Sequence, residues 1–277
     1  MKTHRTIAAT SNFCRTAPRP VVLIPTMGAL HRGHAALITR ARREATPRGT
    51  VVVSLFVNPT QFGPGEDYSR YPRSFSADAK LCRDAGADLI FAPTPKEMYP
   101  ADFSTIVEEE ALSQPLCGSK RQGHFRGVCT VVAKLLHIVQ PDAAVFGMKD
   151  FQQLAIVRRM VRDLNLPVEI VAEETVREED GLAISSRNQY LTREQRKQAT
   201  VIRSALLAAA DKSPRTPAAL RKLMTKIISQ SPEAKIDYVE IVDPDTLRPA
   251  KQGARSMLIA TAVFFGKTRL IDNILLR

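Results

Sequence analysis

Short apolar runs alternate with longer segments of mixed polarity over the first two thirds of the chain. Val21–Ile24 and Val51–Val57 are apolar and rich in β-branched residues, as are strands buried on both faces of a parallel sheet. Asp88–Ala92 (stopped by Pro93), Ala143–Phe146 and Val168–Ala172 predict three more strands. Between them the pattern predicts helices over Ala35–Arg43, Ser74–Ala85 (stopped by Gly86), Gly127–Val139 (ended before Pro141) and Phe151–Leu164. Such alternation implies a parallel sheet covered by helices on both faces, a Rossmann-like α/β domain over residues 1–174. In that architecture ligands bind beyond the carboxyl ends of the strands.

The pattern changes near residue 175. Thr192–Ala210 and Pro217–Gln230 predict two helices joined by a loop at Asp211–Pro217. Ile236–Val242, Met257–Phe264 and Arg269–Leu276 predict three successive strands. Helices followed by strands suggest a smaller C-terminal α+β domain over residues 175–277.

Composition narrows the function classes. A chain of 277 residues with 44% hydrophobic content can bury a real core. The formal net charge of +12 favours anionic ligands. That charge is dispersed, with only short clusters such as Arg40-Arg42-Arg43 and Arg158-Arg159-Arg162, and aromatic residues make up only 6%. With no zinc finger, stacking motif or basic stripe, a nucleic-acid-binding module is disfavoured. Four widely spaced cysteines contain no Cys-x-x-Cys pair, so neither a zinc site nor a disulfide framework is expected. A reducing cytoplasm fits. Neither a signal peptide after Met1-Lys2-Thr3-His4-Arg5 nor a membrane span is expected.

Five polar motifs follow predicted strand ends or open helices. The first, His31-Arg32-Gly33-His34, opens a helix after Pro25-Thr26-Met27-Gly28. Helix N-termini bind phosphate through unpaired N–H groups, and imidazoles three apart face the same way. Taken alone, this is equally an ordinary polar helix start. In Asn58-Pro59-Thr60-Gln61, proline ends the ladder and leaves Gln61, with two donors and an acceptor, at the strand's carboxyl end; by itself it is also a plain turn. Gly123-His124-Phe125-Arg126-Gly127, with Arg121 before it, suggests a loop pressed against an anion, or a solvated surface loop. Gly147-Met148-Lys149-Asp150-Phe151-Gln152-Gln153 contains an Asp150–Gln153 capping box that needs no ligand. Lys149 opposes the helix dipole there, which suggests phosphate binding. Ile184-Ser185-Ser186-Arg187-Asn188, after Gly181, makes either a phosphate clamp or a capping pair with an exposed arginine.

Together the motifs are more specific. A His-x-Gly-His helix start followed by a late Ser-Ser-Arg loop resembles the nucleotidyltransferase superfamily. Within it, five blocks plus Tyr71-Pro72-Arg73, in order from Pro25 to Leu191, resemble the pantothenate synthetase (pantoate–β-alanine ligase) family. A weaker echo follows at Arg269-Leu270-Ile271-Asp272-Asn273.

That resemblance implies ATP-dependent joining of pantoate to β-alanine through a pantoyl adenylate, a step toward coenzyme A. It implies ATP contacts from Met27, Gly28, Ala29, Leu30, His31, Arg32, Gly33 and His34, from Gly147, Met148, Lys149 and Asp150, and from Val176, Ile184, Ser185, Ser186 and Arg187. His34, His31 and Lys149 would serve catalysis. Gln61 and Gln153 would bind pantoate, with Asn58, Tyr71, Arg121 and His124 lining the same cleft. Asp78 resembles a position near Mg²⁺ and pyrophosphate. The second domain would carry the Ser-Ser-Arg loop and close over the site. A cytoplasmic homodimer is implied, with no nucleic-acid or membrane partner. Three residues depart from the family pattern: Met148 for Glu, and Ile184 and Thr60 each for Met. A cytidylyl- or adenylyltransferase of the same superfamily would keep the phosphate motifs, but the paired Gln61 and Gln153 favour a small polar acid.

Overall fold

The computed structural model describes residues 1–213 and 215–277. It divides into two compact units. The first comprises Met1–Ser113, Arg121–Met148 and Gln153–Glu174, and the second Gln114–Lys120, Lys149–Gln152 and Thr175–Arg277. Two short pieces from before residue 175, 114–120 and 149–152, therefore group with the C-terminal residues.

The first unit holds strands β1 (Lys2–His4), β2 (Val21–Thr26), β3 (Thr50–Leu55), β4 (Leu89–Phe91), β5 (Ala143–Gly147) and β6 (Glu169–Glu173). All neighbours pair in parallel, in the order β1-β4-β3-β2-β5-β6. Helices α1 (Ile7–Thr16), α2 (Arg32–Glu44), α3 (Phe75–Asp84), the short α4 (Pro95–Met98), α5 (His124–Val139) and α6 (Phe151–Asp163) connect the strands. The first two residues of α6 lie in the segment grouped with the second unit. Val21 through Ile24, Val51 through Val53 and Leu89 through Phe91 are wholly buried. Covered on both faces, these strands are apolar without alternation.

Strand order reverses between β2 and β5. Their ladder is only Val22↔Ala143 and Leu23↔Ala144, although β2 continues to Thr26 and β5 to Gly147. The two carboxyl ends leave the ladder at the switch point, where doubly wound sheets bind ligands.

The second unit contains α7 (Arg193–Gln198), α8 (Val201–Ala210), α9 (Pro217–Ile228) and the antiparallel sheet β7 (Ala234–Val242), β8 (Met257–Phe265) and β9 (Thr268–Leu276). Ile202, Leu206, Leu220 and Met224 of the helices form one buried cluster with Val239, Ile259, Val263 and Leu270 of the sheet.

The expected α/β and α+β architecture is present, with three local differences. The predicted helix Thr192–Ala210 is broken at Ala199-Thr200 into α7 and α8. The junction is slight: Ala199 and Thr200 both keep right-handed helical dihedrals, and the ladder tightens locally to an Ile202 N–H bond to the Ala199 carbonyl at 3.2 Å. The helix predicted from Gly127 begins at His124, because Gly123 takes a left-handed φ of 75° that turns the chain into the helix earlier. β1 and α1 were not predicted. α1 is capped by Thr6, whose hydroxyl accepts from the Ala9 N–H, and buries only Thr10 and Cys14, a weak apolar signal.

Candidate active site

In the first unit the site grows from the loop that leaves β2. The Thr26 hydroxyl donates to the Ser54 carbonyl at 2.7 Å and accepts from the Gly28 N–H at 3.3 Å. Gly28 and Ala29 then take left-handed φ values of 82° and 51°. Ala29 is sterically strained there, and the opposing force is Asp78. One carboxylate oxygen of Asp78 accepts from the Ala29 N–H at 3.0 Å, and the other from the Leu30 N–H at 2.8 Å. A Cβ on Gly28 would lie 3.0 Å from the same carboxylate. The α3 first turn thus clamps the Met27–Leu30 loop through one buried side chain.

Burial pushes the Asp78 carboxyl above its ordinary pKa, and the two N–H donors only partly offset this. The role that the geometry shows for Asp78 is this clamp. Each oxygen accepts one backbone N–H, the residue is 4% exposed, and no three-residue His, Cys, Asp or Glu group suited to a metal occurs among the described residues. A divalent ion arriving with a nucleotide would be held mainly by phosphate oxygens and water.

His31 is the N-cap of α2, and His34 sits one turn in. Their rings lie 4.1 Å apart, tilted by 36°. The His31 backbone N–H donates to Nδ1 of His34 at 3.2 Å. An accepting Nδ1 places the neutral ring's proton on Nε2, so the outer nitrogen of His34 is a donor. A Cβ on Gly33 would come within 3.0 Å of the His31 ring, so glycine is what allows that ring to fold back over the helix start. Arg32 is exposed.

Gln61 lies in the 3₁₀ turn Pro59–Gln61 after β3 and is buried. Its Oε1 accepts from Asn58 Nδ2 at 3.0 Å, and its Nε2 points at Met27 Sδ at 3.0 Å. Asn58, 1% exposed, is fully engaged: Nδ2 also donates to the Gly127 carbonyl at 3.1 Å, and Oδ1 accepts from the Tyr99 hydroxyl at 2.8 Å and from Thr60 at 3.0 Å. Asn58 therefore orients Gln61. Tyr99 was not identified from the sequence; nothing in Glu97-Met98-Tyr99 marks it. Burial pushes its phenol up, keeping it a donor.

Gly127 presses on backbone instead of an anion. A Cβ there would lie 2.4 Å from the Thr60 carbonyl oxygen and 2.7 Å from the Gln61 Cα. His124 Nδ1 lies 2.8 Å from the Gln61 carbonyl, and its Nε2 is 2.9 Å from Arg121. Arg121 in turn holds Glu66 with two bonds of 2.7 and 2.6 Å. Burial raises the Glu66 carboxyl, but the Arg121 hydrogen bonds and charge, aided by His124 and the Gly63 amide, bring it below the ordinary carboxylate range. Tyr71 is buried, with its ring edge against Phe62 at 6.0 Å. Gly147 ends β5 and Met148 opens the 3₁₀ turn after it, both half-buried, and Gln153 is half-buried in α6.

In the second unit, Lys149 and Asp150 belong to a 3₁₀ turn running directly into α6. Lys149 Nζ lies 3.6 Å from Asp150 Oδ2, and its side chain is 20% exposed. The adjoining Gln152 is buried and holds the 115–117 segment, accepting from the Cys117 N–H at 3.0 Å and donating to the Pro115 carbonyl at 2.7 Å. Val176 and Ile184 face each other across a hairpin: the Ile184 N–H donates to the Val176 carbonyl at 3.0 Å. Gly181, at φ 88°, turns that hairpin. Ser185 caps the next turn, its hydroxyl accepting from the Arg187 N–H at 3.2 Å. Asn188 Nδ2 donates to the Ala183 carbonyl at 3.1 Å. Ser185, Ser186 and Arg187 thus leave a defined turn, half-buried.

No described helix is long and apolar enough to cross a membrane. The four cysteines are free and buried, and burial raises Cys82 and Cys129 to about 12.

Comparison with known proteins agrees with this geometry. Residues 1–275 match the family model described as pantoate-beta-alanine ligase. The chain is 51% identical to the pantothenate synthetase of Moorella thermoacetica over 100% of its own length and 99% of the relative's. With that of Thermotoga neapolitana it shares 52% identity over 96% and 95% of the two chains. The crystal structure of pantothenate synthetase from Thermus thermophilus matches with a TM-score of 0.93 and 49% identity, covering 99% of each chain. The Francisella tularensis pantoate-beta-alanine ligase, complexed with beta-gamma ATP and beta-alanine, matches with a TM-score of 0.81 and 31% identity over 99% and 97% of the chains. The chain belongs to the pantoate–β-alanine ligase family.

Proposed function

We propose that this enzyme performs its family's ATP-dependent ligation of pantoate and β-alanine in two half-reactions, with the residues above in defined roles. Pantoate's carboxylate is ionised at neutral pH and needs no general base. One of its oxygens attacks the α-phosphorus of ATP, the bond to the bridging oxygen breaks, and pyrophosphate leaves with that electron pair. The neutral amine of β-alanine then attacks the acyl carbon of pantoyl adenylate. The carbon–oxygen bond breaks, AMP leaves, and the amine proton passes to solvent.

The first step needs alignment and charge neutralisation more than proton abstraction. His34, with Nε2–H fixed as a donor, stabilises the phosphate oxygens that gain charge. His31 and the Met27–Gly33 backbone cradle the same phosphates at the α2 start. Lys149, Ser185, Ser186 and Arg187 add a cation, two hydroxyls and a guanidinium, and Gly147, Met148, Asp150, Val176 and Ile184 complete ATP binding. Gln61 and Gln153 bind pantoate; Asn58, Tyr71, Arg121 and His124 support that end. Magnesium enters with ATP as part of the substrate. The enzyme acts as a cytoplasmic homodimer, which sedimentation of the purified chain checks.

The observation that carries this reading is the helix start itself. A clamped left-handed loop and two imidazoles 4.1 Å apart, one accepting a backbone N–H at Nδ1, follow the strand beside the switch point of a parallel sheet. Pantoate labelled with ¹⁸O in its carboxylate tests the route. The attacking oxygen must leave with AMP once β-alanine is added. Label in inorganic phosphate, or none in AMP, contradicts an adenylate.

A further inference from the structure

We infer that Asp272 and Asn273, adjacent on β9, are positioning residues that hold the two nucleotide segments of the second unit in fixed relation. The inference rests on the assignment of Lys149 and Val176–Arg187 to ATP binding. Asn273 Nδ2 donates to the Lys149 carbonyl at 2.9 Å. Asp272 holds Arg177 with two bonds, 2.6 Å from Nη1 and 2.9 Å from Nη2. The same Arg177 Nη1 donates to the Gly181 carbonyl at 3.1 Å, across the turn of the hairpin that leads to Ser185. Arg177 also bridges to Ala183 through the backbone.

Successive residues of a strand point to opposite faces. Leu270 and Leu276 belong to the buried apolar cluster, and Asp272 shares their parity along β9. Asn273 points the other way. One strand therefore grips the Val176–Ile184 hairpin from one face and the Lys149 segment from the other. Both are buried, and the contacts named above run to Arg177 and to the Lys149 backbone.

A purely structural role is a poor explanation for the choice of residues. The sheet already buries Ile259, Val263, Leu270 and Leu276. A buried carboxylate–guanidinium pair is a weak source of stability compared with apolar packing. It does fix geometry, because the guanidinium fork admits a bidentate carboxylate in few orientations. The Asp272 carboxylate is itself fixed: Oδ1 accepts from the Asn273 N–H at 2.8 Å.

The test uses the full-length enzyme and pantoate-dependent exchange of pyrophosphate into ATP. Asn273→Ala and Asp272→Asn are expected to raise the KM for ATP about tenfold each, the effect of one lost well-placed hydrogen bond. The KM for pantoate should rise less than the KM for ATP, since Gln61 lies outside these contacts. Asn273→Asp preserves the side-chain shape and removes the donor, and covers the case in which the alanine variant does not fold. Ser231→Ala is the control: it removes a bond of 2.7 Å to Gln198 in the same unit and involves none of the residues above. An unchanged KM for ATP in folded variants overturns the inference. So does an equal rise in Ser231→Ala, which would make the effect one of general stability. No exchange in the unaltered enzyme would remove the functional assignment, and the positioning role with it.

Discussion

The His31 backbone N–H and Nδ1 of His34 are joined by a 3.2 Å hydrogen bond. That one bond decides which His34 nitrogen carries the proton, and so which can serve a phosphate oxygen. His34→Ala should lower the adenylation rate by about 10²–10³-fold, the scale of losing one preorganised donor to a developing charge. His34→Gln, whose amide nitrogen can reach the Nε2 position, should retain more activity than His34→Asn, whose amide lies nearer Nδ1. Single-turnover pyrophosphate release from folded variants measures this. Equal rates for the two amides would refute the tautomer assignment.

Asp78 is expected to act on the loop and not on a metal. Asp78→Ala leaves the Ala29 and Leu30 N–H groups without their acceptor and removes what holds Ala29 left-handed. The cost should be about 2 kcal/mol of stability, with a higher KM for ATP. Raising the magnesium concentration should not restore activity. Recovery at high magnesium would reinstate a metal-binding role.

Gly127→Ala places a methyl group 2.4 Å from the Thr60 carbonyl. The 59–61 turn must move, at a cost of about 1–3 kcal/mol, as for other overpacked contacts. Because Gln61 rides on that turn, the KM for pantoate should rise more than the KM for ATP. Steady-state kinetics with each substrate varied in turn separates the two.

The Glu66–Arg121 pair sets a sign for acid stability. The Glu66 pKa is lowered in the folded chain, chiefly through Arg121 acting against burial. Its contribution is therefore present above the unfolded value of about 4.3 and is lost as pH falls through the folded value. Asp78, raised by burial, has the opposite sign, its contribution declining as pH rises through its folded value. Glu66→Gln should lose less stability than the unaltered chain on acidification from about pH 5 to pH 3. Denaturant titrations at both pH values decide it; identical losses would remove Glu66 from the acid response.

Much of the fold was legible because buried parallel strands are apolar without a break. Val21–Ile24, Val51–Val53 and Leu89–Phe91 announce themselves in that way. α1 did not, since a helix that buries one threonine and one cysteine has no apolar stripe to detect. The junction between α7 and α8 is a local tightening within a run that stays right-handed helical, which propensity cannot anticipate. In the site, histidine and glycine spacing located the α2 start. What spacing could not reveal is division of labour: Asn58 orients Gln61, Gln152 holds the 115–117 segment, and Gly127 accommodates backbone. Those roles depend on the folded geometry around each side chain, which for Gln152 and Gly127 means partners far away in sequence.

The most direct test of the account is pantoate-dependent incorporation of labelled pyrophosphate into ATP with β-alanine absent. The account predicts exchange that requires pantoate, is slowed about 10²–10³-fold by His34→Ala, and is accompanied by AMP release only after β-alanine is added. Exchange without pantoate, or net AMP formation with no exchange at all, would contradict it.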